Sequence, residues 1–158
     1  MSRWEFKTAL ADIRGFSIAE MMAAMGVFAI VMAVAVPSFL AFQPGMRLNG
    51  ASREVLGKLM WARAKAVDQN STYVVIFPTD HSFQIFNDTN GNSALDVGES
   101  TQTIDLQTDY SDVTLSKSGA DPTLNSRGTA GGTTTITLTN SSGSKTVTVT
   151  PTGNVKIN

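Results

Sequence analysis

The feature that most constrains this chain is an uncharged apolar run from Met21 to Phe42. As an α-helix, this run would be about 33 Å long, which is enough to cross a hydrocarbon core about 30 Å thick. Glu20 stands directly before it, and a carboxylate at the start of a membrane helix is costly, so it calls for a functional reason. The run predicts a membrane stem that carries a soluble body of about 110 residues, enough for one modest core.

Three interpretations of the stem follow from its flanks. Residues 1–15 are polar, and Arg3, Lys7 and Arg14 favour keeping this end in the cytoplasm. A secretory signal peptide would be cut after Ala33-Val34-Ala35, but the apolar run continues past that point. An ordinary signal anchor leaves Glu20 unexplained. The third interpretation depends on the residues immediately before Glu20.

The segment Gly15-Phe16-Ser17-Ile18-Ala19-Glu20 resembles the class III prepilin cleavage motif of type IV pilins and type II secretion pseudopilins. The resemblance implies that a membrane peptidase cuts between Gly15 and Phe16 and that Phe16 is then N-methylated. Glu20 would be the fifth residue of the mature chain. Pro37 would stand where this family commonly has a helix-kinking proline, while Ser17 replaces the more frequent threonine.

Cleavage before Phe16 would also give Glu20 a partner. The new α-amine has a pKa of about 7.7–8.0, so it carries positive charge near neutral pH. Glu20 would lie one helical turn from this amine, or could reach the amine of a neighbouring subunit. Such a pair offsets part of the desolvation of each group, which makes Glu20 a predicted docking contact.

The second half of the stem continues into an amphipathic helix predicted over about 46–67. Pro37 predicts a kink, and Pro44-Gly45 predicts a second break with loosening of the helix between the two. Beyond them, apolar residues recur at steps of three and four, as on one face of a helix. This stripe consists of Leu48, Ala51, Val55, Leu59, Ala62 and Ala66. The basic residues mostly lie off the stripe, which favours a solvated face over a phosphate-binding or anionic-lipid-binding one.

The rest of the chain has the alternation and turns of an antiparallel β body. A hairpin is predicted over 71–87, with Phe83 and Ile85 on the opposite face from Phe86, and 119–125 is predicted as a loop. The predicted strands are Ser71–Phe77, Ser82–Asn87, Thr103–Gln107, Val113–Leu115, Thr133–Thr139, Lys145–Thr150 and Asn154–Ile157. Together with the helix they predict an α+β fold.

The C-terminal part adds a second resemblance, to the GspH/FimT branch of minor pseudopilins and minor pilins. It is carried by Leu124-Asn125-Ser126-Arg127-Gly128, two alternating strands and the closing Gly153-Asn154-Val155-Lys156. In the DNA-binding FimT-type pilins, the closing motif has Arg where this chain has Asn154. Lys156 remains as a DNA-contact candidate, but one charge is missing and each phosphate contact contributes to affinity. The sequence therefore gives nucleic acid binding little support.

The segment 88–99 has the spacing of a calcium loop. Oxygen-bearing side chains occupy positions 1, 3, 5, 9 and 12 of a twelve-residue segment, and Ala94 could supply its carbonyl at position 7. The side chains are Asp88, Asn90, Asn92, Asp96 and Glu99. Ser93 replaces the usual glycine at position 6, and strands flank the segment instead of helices. The alternative is a β-loop whose side chains hydrogen-bond to its own backbone.

Composition narrows the functional classes. The chain has no cysteine, which excludes disulfides, thiolate metal sites and cysteine nucleophiles. A net charge of −1 gives no general attraction to nucleic acid. His81 is the single histidine and is predicted to be an exposed turn residue, not a catalytic base. The sequence shows no set of an acid, a base and a nucleophile that could form one catalytic site, so an enzyme is not expected.

Taken together, the sequence predicts a pilin-like subunit with a leader over 1–15, a transmembrane and assembly helix over 16–45 and a globular domain over 46–158. The resemblance implies a minor pseudopilin of type II secretion, with a minor pilin of a type IV pilus as its near neighbour. It also implies a single-pass bacterial inner-membrane protein with a periplasmic body. Expected partners are other pilins or pseudopilins, the prepilin peptidase and the assembly platform. A membrane-anchored calcium-binding module is the alternative from another class.

Overall fold

The structure, a computed structural model, describes residues 15–158. The leader predicted over 1–15, with Arg3, Lys7 and Arg14, therefore lies outside the described residues except for Gly15. The described chain divides after Phe39, with Leu40–Asn158 as the second compact unit.

Helix α1 runs without interruption over Ile18–Asp68. It passes through Pro37 and through Pro44-Gly45 while keeping its helical assignment. An interior proline removes its own N–H from the helical ladder and clashes with the carbonyl four residues earlier, yet α1 continues on both sides of each proline. The loosening predicted between the two prolines is therefore absent, while the kink at Pro37 stays a prediction.

The predicted apolar stripe of α1 is buried in the body. All six predicted residues are at most 4% exposed, and Ser52 joins them on the same face. Ser52 is accommodated because its Oγ donates to the Asn49 carbonyl oxygen, 3.0 Å away. The period of the sequence pattern therefore placed this face correctly.

The body contains eight strands in two antiparallel four-stranded sheets. The strands are β1 Thr72–Ile76, β2 Ser82–Asp88, β3 Thr101–Asp105, β4 Thr114–Ser118, β5 Thr123–Leu124, β6 Thr134–Asn140, β7 Gly143–Val149 and β8 Val155–Ile157. Sheet A has the order β3-β2-β1-β5, and sheet B has the order β4-β6-β7-β8. A short 3-10 helix, Leu106–Thr108, follows β3. One hydrophobic core joins the buried stripe of α1 to residues of both sheets.

One prediction about the body is wrong. The segment 119–125 is not only loop, because Leu124 pairs with Tyr73 of β1 and is fully buried. Phe86, which was predicted on the opposite face from Phe83, is fully buried as well, as is its cross-strand neighbour Val74. Sheet A is thus buried on both faces at its centre, and strict alternation predicts burial on one face only.

Candidate assembly site

The predicted cleavage site lies just before the helix begins. Gly15, Phe16 and Ser17 are outside the helix, and the Phe16 side chain is 78% exposed. Among the described residues, and apart from its chain neighbours, no heavy atom lies within 4 Å of the position that a Cβ on Gly15 would occupy. The peptide bond between Gly15 and Phe16 is therefore in open, non-helical chain, which is the form that a protease needs.

Ser17 fixes where α1 starts. Its Oγ accepts a hydrogen bond from the Glu20 N–H at 3.4 Å, and its carbonyl oxygen accepts the first helical bond from Met21 at 3.1 Å. These are the contacts of an N-cap residue, and Ser-x-x-Glu is the sequence signature of a capping box. The Ser-x-x-Glu pattern is therefore a sequence signal for the start of this helix. The helix therefore begins two residues later than the predicted 16.

Glu20 occupies the first turn of α1 and is exposed. A carboxylate at this position interacts favourably with the positive end of the helix dipole. Because Phe16 precedes the helix in this chain, its backbone nitrogen is not one regular helical turn from Glu20. The role of Glu20 as a docking contact stays a prediction, with the amine of its own chain or that of a neighbouring subunit as its partner.

The stem beyond Glu20 is an apolar surface on all sides. Every residue from Met21 to Phe42 is exposed, and among residues 15–158 α1 is the one helix long and apolar enough to cross a membrane. The exposed large side chains include Met21, Met25, Phe28, Ile30, Val34, Phe39 and Phe42. An apolar surface of this extent marks contact with lipid or with other proteins.

The Arg127-Gly128 and Gly153-Asn154 segments of the second resemblance meet at α1. The Arg63 side chain donates through Nε to the Gly128 carbonyl oxygen at 2.7 Å. Gly153 packs so closely on the same carbonyl that a Cβ there would lie 1.8 Å from its oxygen. Both glycines have positive φ angles, +73° and +77°. Sequence reasoning assigned Arg63 to a solvated face, whereas the structure uses it to hold these two turns together.

A groove lies beside this junction. Its volume is about 540 Å³, and it lies between the last turns of α1 and the two turns. It is lined by Met60, Arg63, Ala64, Val67, Asp68, Arg127, Gly128, Asn154 and Val155. Asn154, at the position of the missing arginine, thus lies in the groove, while Lys156 is exposed on β8 and is not among the lining residues.

In the segment 88–99, the side chains bond to the segment itself. Asp88 is 5% exposed, and its two carboxylate oxygens accept backbone N–H groups of Gly91, Asn92 and Ser93 at 2.8–3.2 Å. The Glu99 carboxylate accepts the Thr89 N–H at 2.9 Å and the Asp96 N–H at 3.1 Å. This is the arrangement expected of the alternative to a calcium loop, a turn stabilised by its own side chains.

Asp96 is held in the same way by amide side chains. Its Oδ2 accepts hydrogen bonds from Asn90 Nδ2 and Asn92 Nδ2, each at 2.7 Å. These two hydrogen bonds lower the pKa of Asp96, and the bond from Asn90 has the larger effect. Ala94 donates its N–H to Asn92 Oδ1 at 2.8 Å. Within residues 15–158, no three His, Cys, Asp or Glu side chains form a metal-binding group. Calcium binding by this segment stays a prediction.

His81 lies in the turn between β1 and β2 but is half-buried, not exposed as predicted. Its Nε2 is 3.3 Å from Asp80 Oδ1, and its Nδ1 is 3.5 Å from the Val113 carbonyl oxygen. Its backbone carbonyl oxygen accepts the Leu106 N–H at 2.9 Å. These contacts join the turn to the segments after β3, so His81 has a structural place in the fold.

Similar folds occur among solved pilin-like proteins. The minor pilin FimU of Pseudomonas aeruginosa superposes with a TM-score of 0.57 at 16% identity, over 74% of this chain and 92% of FimU. The minor pseudopilin EpsH from the type 2 secretion system of Vibrio cholerae gives 0.54 at 10% identity, over 71% and 96%. The solution structure of E. coli GspH gives 0.50 at 11% identity, over 72% and 88%. These likenesses establish a pilin-like α+β fold.

Sequence profiles of two families match the chain directly. The profile described as "Prokaryotic N-terminal methylation motif" matches residues 11–36, which include the predicted cleavage site and the first half of the stem. The profile described as "Type II transport protein GspH" matches residues 51–153. A search of curated protein sequences found no significant match. The GspH profile covers more than half of the 158 residues, and its match agrees with the fold. The chain therefore belongs to the GspH family of pilin-like subunits.

Proposed function

We propose that this chain is a minor pseudopilin of a type II secretion system. In this proposal, a prepilin peptidase cuts between Gly15 and Phe16 and Phe16 is methylated. The mature subunit then enters a pseudopilus through its apolar stem. The observation that carries this proposal is the start of α1. The peptide bond between Gly15 and Phe16 lies in exposed, non-helical chain, and the capped helix that follows has an apolar surface that is exposed from Met21 to Phe42.

The stem supplies the assembly contact in this proposal. Side-by-side stems keep the apolar surface from Met21 to Phe42 out of water once the subunit has left the bilayer, and this is favourable in proportion to the area covered. In this proposal, the Glu20 carboxylate pairs with the α-amine of a neighbouring Phe16, and the position of Phe16 before the Ser17 cap supports a partner in another subunit. The pair would fix the register of adjacent stems, since a misplaced Glu20 would stay unpaired in apolar surroundings.

The proposal also fixes where the subunit resides before assembly. The stem would cross the bacterial inner membrane once, with the globular domain, residues 46–158, on the periplasmic side. An inner-membrane assembly platform would then add the subunit to the filament together with other pseudopilins. The work on the secreted substrate would be done by the filament and its motor, and the subunit would act as a structural part.

A minor pilin of a type IV pilus is the second candidate, favoured by the likeness to FimU, the larger of the TM-scores given above. The description of the matched family as a type II transport protein favours the pseudopilus. Deleting the gene in its host distinguishes the two. Loss of exoprotein secretion with intact pili supports the pseudopilin, and loss of surface pili with intact secretion supports the pilin.

Mass spectrometry of the N-terminus from native membranes tests the processing step. N-methylated Phe16 as the first residue is the expected result. An intact leader would overturn the proposal and favour a membrane-anchored module, which requires no processing. A chain that begins at Val36 would instead identify a secretory signal peptide.

A further inference from the structure

Ser17 makes a contact at the start of α1 that bears on the predicted cleavage site before it. Residues 15–17 are outside the helix, and α1 begins at Ile18. Ser17 Oγ accepts the N–H of Glu20, the third residue of the helix, at 3.4 Å. The first four N–H groups of a helix have no partner within it. The Ser17 side chain therefore stabilises a helix that begins here over one that begins elsewhere.

The sequence before Ser17 offers the helix two earlier starting points. Asp12 is a residue type that caps helices well, and Gly15 is one that caps them acceptably. A helix capped by Asp12 would contain the Gly15–Phe16 bond, and a helix capped by Gly15 would have Phe16 as its first residue. Glycine disfavours a helix interior, but only by its own propensity. The Ser17 cap is the contact that favours the later start over both alternatives.

The position of the helix start matters for hydrolysis of the Gly15–Phe16 bond. In the reaction, the oxygen of water adds to the Gly15 carbonyl carbon, and the Phe16 nitrogen leaves as an amine. A peptide bond within a helix is protected because the chain around it must open before a protease can bind it. When opening is fast, the rate of cleavage follows the fraction of molecules in which the bond is open. An earlier helix start would therefore lower the rate of processing.

We infer that Ser17 is a positioning residue for processing, because its cap holds the start of α1 after Phe16 and keeps the Gly15–Phe16 bond in non-helical chain. The inference rests on the proposed function and deepens it, since processing is the step that it explains. The match of residues 11–36 to the profile for N-terminal methylation supports the same stretch as the substrate of the processing enzyme. Ser17 acts through the backbone and does not itself react.

Threonine and valine provide a matched pair of substitutions, because their shapes are nearly the same and only threonine has an oxygen that can cap a helix. Ser17→Thr is expected to be processed at close to the rate of the unchanged chain. Ser17→Val should be processed about two- to fivefold more slowly, since loss of an N-cap typically shifts the equilibrium at a helix end by about fivefold. Ser17→Ala should be slower still, because alanine is the strongest helix former. Ser17→Asn should keep the rate, because asparagine caps well.

Processing is followed on the full-length chain in its native host. Each variant is pulse-labelled, and mass spectrometry measures the fraction that has lost the leader at successive times. Ser38→Val is the control, because Ser38 carries the other hydroxyl of residues 16–45. Ser38 lies inside α1 and its Oγ donates to the Val34 carbonyl oxygen at 3.0 Å, so its loss leaves the helix start in place. The control should be processed at the rate of the unchanged chain.

The helix start can also be measured without the peptidase. Gly15-Phe16 is the one Gly-Phe pair in the sequence. Labelling glycine with ¹³C at its carbonyl and phenylalanine with ¹⁵N therefore selects the scissile bond in an NMR spectrum of the full-length chain in detergent micelles. The Gly15 carbonyl should have a non-helical chemical shift in the unchanged chain. In Ser17→Ala it should move toward the helical value, and in Ser17→Thr it should stay.

Three results would overturn the inference. The first is processing of Ser17→Val as fast as that of Ser17→Thr, and the second is a Gly15 carbonyl shift that Ser17→Ala leaves unchanged. The third is slow processing of Ser17→Asn beside normal processing of Ser17→Thr, which would assign the hydroxyl to a direct contact with the peptidase. The unchanged chain reports on the proposed function separately. If it acquires N-methylated Phe16 while any of these results is obtained, the inference fails and the proposed function stands.

Discussion

Replacing Gly153 with alanine tests whether the turn at the end of the body depends on a contact that only glycine permits. Gly153 is buried, has a φ of +77° and lies against the Gly128 carbonyl. A new Cβ would lie 1.8 Å from the Gly128 oxygen, whereas real Cβ contacts stay beyond 3.0 Å. The two turns would therefore have to separate, and the 2.7 Å hydrogen bond from Arg63 to the same oxygen would be strained or lost.

The expected loss of stability has two parts. A left-handed backbone costs a non-glycine residue about 1–2 kcal/mol. Loss of a hydrogen bond from a charged group costs about 1.5–3 kcal/mol more. Gly153→Ala should therefore lower the free energy of unfolding by about 2.5–5 kcal/mol, against a total of about 5–15 kcal/mol for a typical domain.

Gly91→Ala is the matched control. Gly91 has a φ of +76°, nearly that of Gly153, but nothing lies within 4 Å of its would-be Cβ. It should show only the backbone part, about 1–2 kcal/mol. The entropy that alanine removes from the unfolded chain is the same for both substitutions, so it cancels in their difference.

Urea unfolding of the detergent-solubilised chain from Phe16 onward would measure both variants. Trp61 is the single tryptophan left when Trp4 is removed with the leader, and its ring packs edge-on against Tyr73 at 6.2 Å. Its fluorescence therefore reports on the body. A midpoint shift at constant slope gives the change in stability. If Gly153→Ala destabilised the body no more than Gly91→Ala, the argument from close packing would be refuted.

Four further outcomes are expected. Glu20→Ala should lower incorporation into filaments while leaving N-terminal processing intact, and equal incorporation of both chains would refute the amine pairing. Millimolar Ca²⁺ should raise the melting temperature, EGTA should reverse the rise, and Asp96→Asn should make the rise smaller. If neither reagent shifted the melting temperature, calcium binding would be refuted. Burial raises the pKa of Tyr73 and Tyr110, and the negative charge of nearby carboxylates raises it further by a smaller amount. Their contribution to stability is present below the unfolded pKa of about 10 and is lost as pH rises through the higher folded values, which tyrosinate absorbance would follow. Asn140→Ala should cost about 1–3 kcal/mol of unfolding free energy because its amide donates to a carbonyl oxygen of α1 at 2.8 Å, and an unchanged urea midpoint would contradict this.

Patterns within one element predicted the parts of the fold that depend on local periodicity. The stripe from Leu48 to Ala66 was found because a helix repeats every 3.6 residues whatever it packs against. The hairpin of β6 and β7 was found for the same reason, since Ile136 and Val147 alternate with threonines and are paired across the strands. The alternation set Phe86 on the opposite face from Phe83, but it could not show that this face is buried too, because that burial depends on what covers the sheet.

The candidate sites, too, could be predicted from the sequence only where the signal is local. The cleavage motif is a contiguous segment, so its position could be taken from the sequence, and the match to residues 11–36 agrees with it. The spacing of segment 88–99 fits calcium ligands and self-bonded turns equally well. Only the geometry shows that Asp88 and Glu99 accept backbone N–H groups of the segment. Spacing gives the residue types, whereas the backbone decides where their oxygens point.

The sequence by itself determined that this chain has an apolar stem, an amphipathic second half of the helix and a β-rich body, because each of these is a repeat over neighbouring residues. The tertiary structure alone decided the junction of Arg63, Gly128 and Gly153 and the groove beside it. Arg63 and Gly128 are 65 positions apart, and the strand order brings them together. Whether a polar or charged side chain meets solvent, a carbonyl or another subunit depends on such distant contacts, and these form only when the whole core has packed.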